Sequence, residues 1–383
     1  MAMMTALAAL SIDAMLPALP QIGSDLGVVQ ENSIQLIVST LLFGLGLGQM
    51  FFGPLSDSIG RKPSIYAGFL LFMIGCLIAI LATDFSVMLI GRFLQGLGVS
   101  GPRVVSVALI RDQYKGRDMA RVMSLVMGVF ILVPAIAPSL GQGVLFIASW
   151  RAIFGLFLSL ALITFIWFSF RQPETLVPDK RLKFSLKRIA NAIREVCTNR
   201  ISLGYTLATA MIHGPFIGYL NSAQQIFQDT YGLGHLFPLF FSTLALCIGS
   251  AFYTNSRLVM KYGMLRLSHW AINAVTGLSL IFVILAYFEN GHLSLWVFMV
   301  YCMITFFCLG ILFGNFNALA MEPLGHIAGI GAAVVGSLST FISVSMGVMI
   351  GLLYDQTVLP LITGFAVLSA FSMFFMHWAE KSK

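Results

Sequence analysis

The sequence predicts an all-α membrane protein in which twelve transmembrane helices form two six-helix bundles. Its 383 residues are 58% hydrophobic and only 10% charged, whereas an ordinary soluble domain is about 45–50% apolar and about 25% charged. So few charges cannot cover one water-soluble globule that hides this many apolar side chains. The composition therefore excludes a cytosolic enzyme, a disordered chain and a disulfide-stapled secreted module.

Apolar runs long enough to cross a bilayer give the number of helices. A transmembrane helix needs about 20 mostly apolar residues, and polar or Gly/Pro segments divide the chain into twelve such runs. We predict spans at 2–22, 33–54, 64–82, 87–110, 121–144, 151–170, 201–222, 236–256, 265–288, 294–321, 330–352 and 358–378. The first ten residues have no basic leading region and no small-residue cleavage site, so we expect a first span there rather than a signal peptide.

One long polar segment divides the runs into six and six. We therefore expect an N-terminal bundle over 1–170, a cytoplasmic linker over 171–200, a C-terminal bundle over 201–378 and a cytoplasmic tail over 379–383. Prolines end the sixth helix, and residues 184–197 are typical of a basic amphipathic helix on the membrane surface. The turns GPLSDSIGRKP and NSRLVMKYGMLR occupy the same place in each half. Duplicated halves of this kind are common in transporters.

The distribution of basic residues predicts the orientation. If the N-terminus is cytoplasmic, all of the 22 Lys and Arg except Arg92, Arg103 and Arg151 fall on the cytoplasmic side. This agrees with the positive-inside rule, and it predicts an even number of spans with both termini in the cytoplasm. The net charge of +7 follows from this topology, so we expect no nucleic-acid partner.

Motifs of enzyme or metal chemistry are missing from the sequence. The five cysteines lack the paired spacing of a disulfide framework or a zinc site. We find no Walker loop, no metal-ligand spacing and no Ser/His/Asp grouping, and an ATP-driven pump would need a soluble nucleotide-binding domain. The sequence predicts a secondary active transporter rather than an enzyme, with no catalytic residue, no cofactor and no metal.

Three charged residues lie where the bilayer should be. They are Asp13 in the first span and Arg92 and Arg103 in the fourth. A charge at this depth costs at least about 2.5–3.5 kcal/mol, so it usually faces a cavity or a partner. At a rise of about 1.5 Å per residue, Asp13 and Arg92 both lie about 10 Å below the outer surface, as a pair or near-pair would. Arg103 follows after eleven residues, which places it on the same side of the helix about 16 Å deeper.

These three charges predict proton coupling. Burial raises the pKa of a carboxyl group in general, whereas a nearby guanidinium lowers it, so an acid held between the two influences can titrate. We interpret Asp13 as a proton carrier and Arg92 as a coupling or substrate-contacting residue. The alternatives are that Asp13 only neutralises Arg92, and that Arg103 is an anchor that reaches towards water.

The turn between the second and third spans predicts a conformational latch, consisting of Gly53, Asp57, Gly60, Arg61 and Lys62. The glycines allow a tight turn and close helix contact, the acid suits a helix N-terminus, and the two cations can bind neighbouring carbonyls or acids. Such a cluster can hold in one conformer and break in another. The alternative is an ordinary basic turn.

Three further spans contribute weaker candidates. In the fifth span, Pro134, Pro138 and Gly141 predict a kinked, closely packed helix that bends and seals the transporter against leaks. The alternative is an ordinary kinked helix that only packs against its neighbours. In the seventh span, His213 is a candidate for titration or substrate binding, with helix-break chemistry as the alternative. In the tenth, Asn315 and Asn317 either line a cavity or form interhelical hydrogen bonds. Some of the 33 Phe and 20 Met residues can form an adaptable apolar cavity.

Five segments carry a family resemblance that covers nearly the whole chain. They are SIDAMLPALPQI with Asp13, GPLSDSIGRKP, GRFLQGLG with Arg92, PAIAPSLG, and AMEPLGHIAGIGAAVVG. Together they resemble the major facilitator superfamily and, within it, the drug:proton antiporters of the bicyclomycin and chloramphenicol resistance group. The resemblance identifies PAIAPSLG with the antiporter motif of helix 5 and Arg92 with the arginine associated with proton transfer. It also implies a cavity lined by helices 1, 4, 7 and 10, where Asp13, Arg92, His213 and Asn315 fall.

The sequence and the resemblance together predict a proton-coupled multidrug exporter. We expect it to move small amphipathic compounds, such as phenicol- or bicyclomycin-like antibiotics, out of the cytoplasm by alternating access of its two halves. We expect a monomer in the bacterial inner membrane whose partners are the substrate, protons and membrane lipid. A proton-coupled importer of a small metabolite and a non-transporting membrane receptor remain as alternatives.

Overall fold

The computed structural model describes residues 1–114 and 116–381, and these residues form helices and connecting turns without a β-strand. Lys115, one of the predicted cytoplasmic cations, lies outside the described residues. So do Ser382 and Lys383 of the predicted tail. The all-α fold class predicted from composition and apolar runs is confirmed.

Fourteen α-helices account for the twelve predicted spans and the linker helix in the part of the chain that is described. Their bounds are α1 Ala2–Asp13, α2 Leu19–Asp25, α3 Leu36–Ile59, α4 Arg61–Ile80, α5 Phe85–Gln113, α6 Gly116–Leu145, α7 Arg151–Arg171, α8 Leu186–Thr198, α9 Arg200–Gln224, α10 Phe237–Tyr262, α11 Met264–Phe288, α12 Leu295–Met321, α13 Ala328–Leu352 and α14 Leu359–Glu380. The first predicted span corresponds to α1 and α2 together, and the predicted amphipathic helix to α8. Every other span matches one helix, with ends that differ by a few residues.

Length and composition mark this as a multi-pass membrane protein. Among the described residues, nine segments are long and apolar enough to cross a membrane. One of them, 295–352, contains both α12 and α13. Two span-length helices are not among the nine: α6 supplies only the shorter apolar stretch Leu132–Leu145, and α9 buries polar side chains such as Thr206 and Gln224.

The first span is not one continuous helix, contrary to the single run predicted over 2–22. After α1 ends at Asp13, the chain forms a 3₁₀ turn over Leu16–Ala18 and then α2. A proline has no N–H to donate, so Pro17 cannot bond the carbonyl of Asp13, four residues earlier. Instead the N–H of Ala18 bonds the carbonyl of Met15 at 2.9 Å. The break therefore begins directly after the buried acid.

Glycines bring α5 into backbone contact with its neighbours. A Cβ atom at Gly96 would collide with the carbonyl oxygen of Leu41 in α3, and one at Gly98 would collide with the main-chain nitrogen of Phe72 in α4. Small residues at helix interfaces permit such close approach in membranes. The tight packing of α3, α4 and α5 fixes the position of Arg92, which lies on the same stretch of α5.

The chain divides into two compact units, an N-terminal unit over Met1–Ala192 and a C-terminal unit over Ile193–Lys383. Their boundary falls inside α8, within the segment predicted as a linker. In the N-terminal unit, α5 packs on α3 and α4, and α1 packs on α6. In the C-terminal unit, α9 packs on α13 and α14, and α12 packs on α10 and α11.

Candidate functional site

The predicted proton carrier is a buried acid at the break in the first span. The residue Asp13 is only 5% exposed and is the last residue of α1. The next residue, Ala14, lies against α6, because a Cβ atom at Gly141 would collide with the Ala14 carbonyl oxygen. The structure thus brings the predicted acid and the predicted helix-5 glycine to one place.

The two prolines of the same motif lie within one helix. α6 continues from Gly116 to Leu145 through Pro134 and Pro138, and Pro138 is buried. The kink expected at these prolines stays a prediction. The structure explains why a glycine, Gly141, follows these prolines. Only a residue without a side chain fits against the main chain of Ala14, the residue after Asp13.

The guanidinium of Arg92 is fully buried and joins three elements. Its Nε donates to the Ile37 carbonyl oxygen of α3 at 3.0 Å, its Nη1 to Gln95 Oε1 at 2.7 Å, and its Nη2 to the Ser11 carbonyl oxygen of α1 at 2.8 Å. The ring of Phe154 in α7 lies 5.7 Å from the guanidinium carbon. A cation near the carboxyl end of a helix is favourable, and Ser11 lies in the last turn of α1.

Gln95 extends these contacts to a fourth helix. Its Nε2 donates to the Gly75 carbonyl oxygen of α4 at 3.1 Å, while its Oε1 accepts from Arg92. The side chain is fully buried, so both ends of the amide are used. We call Arg92, Gln95, Ser11 and Ile37 the Arg92 cluster.

A direct ion pair between Asp13 and Arg92 is not formed. The ion pairs within 4.0 Å among the described residues of the N-terminal unit are Arg61–Asp57, Arg61–Asp112 and Arg151–Asp25. Of the predicted pair or near-pair, the direct pair is absent because main-chain oxygens already accept two of the three guanidinium bonds. Arg92 therefore meets α1 two residues before Asp13, as a near neighbour of the acid and not as its counter-ion.

Arg103 lies further along α5 and is half-buried. Its main-chain carbonyl accepts a hydrogen bond from Ser106 Oγ at 2.9 Å. The eleven-residue spacing from Arg92 predicts that the two guanidinium groups form a cationic stripe along one side of the helix, and this stays a prediction.

The predicted latch residues meet around Arg61. Its Nη1 donates to Asp57 Oδ1 at 2.5 Å and to Ser56 Oγ at 2.9 Å, and its Nε donates to Asp112 Oδ2 at 3.0 Å. Asp112 lies near the end of α5, so the guanidinium ties the end of α3, the start of α4 and the end of α5 together. Gly53 contributes its carbonyl oxygen, which accepts from Ser56 Oγ at 2.8 Å.

Glu174, after α7, caps the start of α4. Its carboxylate accepts from the main-chain N–H groups of Arg61 and Lys62 at 3.0 and 2.9 Å. These are the first two residues of α4, whose N–H groups have no partner within the helix. Gly60 has φ +110°, and a Cβ atom there would lie 2.6 Å from Glu174 Oε2. The latch glycine is thus required both by its backbone conformation and by the space that the carboxylate occupies.

The environment of Glu174 keeps it ionised. Burial alone would raise the pKa of this carboxyl group, but main-chain N–H donors from Leu176, Lys62, Arg61 and Thr175 outweigh burial and hold the pKa below its usual value. Hydrogen bonds to the charged form have this effect because they stabilise the anion.

Two more bonds connect α7 and the linker to the residues of the predicted latch. Lys62 Nζ donates to the Ser169 carbonyl oxygen of α7 at 2.8 Å, and the N–H of Leu182 donates to the Asp57 carbonyl oxygen at 2.9 Å. The sequence analysis missed Asp112 and Glu174. The available signal for Glu174 was its place as the first acid, after a proline, in an otherwise basic linker.

In the C-terminal unit, His213 lies against α12. Its ring stacks on Phe313 with centroids 3.8 Å apart and planes inclined by 4°, and its Nδ1 lies 3.2 Å from the Thr209 carbonyl oxygen. Phe216, one turn further along α9, meets the same Phe313 edge-on at 5.7 Å. The rings of His213 and Phe216 thus both pack against Phe313, so α9 and α12 share an aromatic contact.

The two asparagines of α12 differ in their surroundings. Asn315 is 3% exposed and forms a reciprocal amide pair with Asn255 of α10, at 2.9 and 3.1 Å. Asn317 is exposed. The two lie on different sides of the helix, and the geometry of Asn315 is that of an interhelical hydrogen bond, one of the two alternatives that the sequence left open.

The described residues contain no group of three or more His, Cys, Asp or Glu side chains that could hold a metal ion. The N-terminal unit offers a buried acid, a buried guanidinium network and the charged cluster around Arg61 that was predicted as a latch. Together with the span-length helices, these features define a multi-pass membrane protein of the helical transporter class.

Comparison with known proteins gives the family. The profile of the Major Facilitator Superfamily matches residues 1–344, so the chain belongs to this superfamily of transporters. The family resemblance drawn from the five sequence segments is confirmed.

Relatives and solved structures agree with this assignment. The MFS-type transporter YdgK of Bacillus subtilis is 28% identical over 369 residues, which are 94% of this chain and 89% of the relative. The bicyclomycin resistance protein homolog of Haemophilus influenzae is 29% identical over 364 residues, 92% of this chain and 87% of the relative. The solved structure of a D-xylose–proton symporter is 14% identical in sequence and has a TM-score of 0.73. The match covers 98% of this chain and 95% of the symporter chain. At that identity the structural likeness shows the fold alone.

Proposed function

We propose that this transporter is a proton-coupled exporter of small amphipathic compounds, working by alternating access in a bacterial inner membrane. The observation that carries the proposal is Asp13, an acid that is 5% exposed at a break in the first span. The name of the bicyclomycin resistance relative supports the substrate class.

Asp13 has the surroundings that a proton carrier needs. No cation lies within ion-pairing distance of it among the described residues, so a proton is what can neutralise its charge when it is buried. An intramembrane ionisable residue is costly, and such residues usually serve transport. The chain after Asp13 is a 3₁₀ turn rather than a regular helix, and a break of this kind lets α1, with the acid at its end, move separately from α2.

The Arg92 cluster provides a route from the acid to the rest of the unit. Arg92 is bonded to α1 through Ser11 and to α3 through Ile37. A change of charge at Asp13 alters the electrostatic attraction between α1 and this guanidinium. The position of α1 against α3 and α5 is then the structural element that responds to protonation.

One proton supplies enough energy for the proposed transport. A membrane potential of about 100 mV contributes roughly 2.3 kcal/mol per charge, and one unit of pH adds about 1.4 kcal/mol. Because every 1.4 kcal/mol corresponds to tenfold in an equilibrium constant, a single coupled proton can hold a substrate gradient of more than about a hundredfold.

The proposed test is transport of labelled chloramphenicol and bicyclomycin in proteoliposomes with an imposed pH gradient. Asp13→Asn should abolish gradient-driven transport, while Asp179→Asn, which changes an exposed acid of the linker, should leave it unchanged. Normal gradient-driven transport by Asp13→Asn would end the proton-carrier proposal. Proton movement in the same direction as the solute would identify an importer working by symport, and binding without any flux would identify a receptor.

A further inference from the structure

Histidines are confined to one half of this chain. All six follow residue 212, and they are His213, His235, His269, His292, His326 and His377. Two of them, His269 and His326, form side-chain pairs with carboxylates in the C-terminal unit. Histidine is the side chain whose ordinary pKa places its charge change between about pH 5 and 8. The two halves therefore differ in how their charged contacts respond to pH.

The first of these pairs joins the start of α11 to the end of α14. His269 Nε2 lies 2.8 Å from Glu380 Oε1 and 3.1 Å from Oε2, so the imidazole N–H points at both carboxylate oxygens. The hydroxyl of Tyr205 in α9 donates to the same Glu380 at 3.4 Å. The His269 and Glu380 side chains are 30% and 25% exposed, so protons from solution reach the pair.

The second pair joins α8 to the connection between α12 and α13. His326 lies in the 3₁₀ helix Glu322–Ile327, and its Nε2 is 2.6 Å from Glu195 Oε1 of α8. Both side chains are exposed enough to exchange protons with solution. We call His269–Glu380 and His326–Glu195 the histidine clasp.

The N-terminal unit makes the corresponding contact with groups that keep their charge. There Glu174, just after α7, bonds the start of α4, much as Glu380 at the end of α14 bonds the start of α11. Its partners are main-chain N–H groups, and the adjacent Arg61 cannot be deprotonated in proteins. The pKa of Glu174 lies below its usual value. None of these groups changes charge between about pH 5 and 8.

We propose that the C-terminal unit carries a proton-sensitive clasp that the N-terminal unit lacks. When the two imidazoles are protonated, His269–Glu380 and His326–Glu195 are ion pairs that hold α11, α14, α8 and the α12–α13 connection together. When the imidazoles are neutral, each contact is an ordinary hydrogen bond and weaker. The helix ends of the C-terminal unit are thus held more firmly at low pH. This device is separate from proton carriage by Asp13, and its operation does not require that proposal.

Other charges on the neighbouring elements set the background for this response. Titratable and charged groups on the elements packed against the clasp include Lys187, Arg188, Arg194, Arg200, Tyr205, His213, Tyr253, Arg257, Lys261, Tyr262, Arg266, Glu322, His377 and Lys381. A second imidazole, that of His377, has its ring centroid 5.2 Å from that of His269. Its Nδ1 lies 2.8 Å from the Met373 carbonyl oxygen. Protonation of His377 would oppose protonation of His269, so its variant is part of the test.

The test is hydrogen–deuterium exchange of the full chain in lipid nanodiscs between about pH 5.5 and 8.5, corrected for the intrinsic pH dependence of amide exchange. We expect exchange in residues 264–270 and 376–381 to rise about two- to fivefold as the imidazoles lose their protons. Residues 60–66, at the start of α4, are the internal control and should show no such rise. The same response is expected in Asp13→Asn, which separates this proposal from the proposed transport mechanism.

Matched variants assign the response to the clasp. His269→Gln keeps a neutral hydrogen-bond donor but cannot titrate, so the rise should disappear at both segments. His292→Gln removes an exposed histidine at the opposite end of α11 and should leave the rise intact. His377→Gln keeps both pairs of the clasp and should retain the rise as well. The proposal is overturned if the wild-type chain shows no pH response, or if the response survives in the folded double variant His269→Gln/His326→Gln.

Discussion

Gly141 is the position at which the packing around Asp13 can be tested without touching a charge. A Cβ atom there would collide with the carbonyl oxygen of Ala14 and would lie 2.8 Å from the carbonyl carbon. Ordinary contact begins at 3.4 Å, so the main chains of α6 and α1 must separate by more than about 0.6 Å, because the carbonyl oxygen lies closer to the added Cβ atom than the carbonyl carbon does. Overpacking of this kind costs about 1–3 kcal/mol. Gly141→Ala should therefore lower the free energy of unfolding by that amount and reduce transport.

The matched control is Gly143→Ala, two residues further along α6, where nothing lies within 4 Å of the added Cβ atom. Both variants replace glycine by the better helix former, so helix propensity by itself stabilises each of them. The assay is denaturant unfolding in detergent followed by circular dichroism, together with gradient-driven efflux from vesicles. If Gly141→Ala is as stable and as active as Gly143→Ala, the inferred contact between α6 and the chain after Asp13 is incorrect.

Two further predictions concern the charged networks. Arg92→Lys should lower the free energy of unfolding by about 1–3 kcal/mol and stop transport. The reason is that a single ammonium group cannot reproduce the planar guanidinium, which reaches α1, α3 and Gln95. A lysine variant that is as stable and as active as the wild-type chain would contradict this prediction. Glu174→Gln should cost about 0.5–2 kcal/mol at neutral pH, as loss of a helix cap does. Since the folded-state pKa of Glu174 lies below its unfolded value, the cap contributes fully above the usual glutamate range and is lost as the pH falls through the lowered pKa. The stability difference between wild-type and Glu174→Gln chains should therefore vanish in strong acid, and a difference that persists there would refute the role of the carboxylate.

The sequence was sufficient for features that depend on local pattern. The apolar runs predicted the helices because a span must be long and apolar whatever it packs against. The latch residues Asp57, Gly60 and Arg61 could be identified because they lie within one turn of chain. The family resemblance added the expectation that Asp13 and Arg92 lie on helices that line a cavity.

Features that depend on contacts between distant residues could not be predicted. The partners of Arg92 are main-chain oxygens of Ser11 and Ile37, and a carbonyl group has no signature in a sequence. For this reason the matching depths of Asp13 and Arg92 predicted a pair or near-pair, but they could not indicate that main-chain oxygens are the partners of the guanidinium. Likewise Glu174 reaches α4 from more than a hundred residues away, and the amide pair of Asn315 with Asn255 depends on helix packing alone.

The central claim is that Asp13 exchanges the transported proton. The most direct measurement is the release of protons when substrate is added to the purified chain in weakly buffered detergent solution, followed with a pH indicator and with substrate binding measured in parallel. The wild-type chain and Asp179→Asn should release protons on binding, and Asp13→Asn should bind substrate without releasing any. Proton release from Asp13→Asn equal to that of the wild-type chain would contradict the claim.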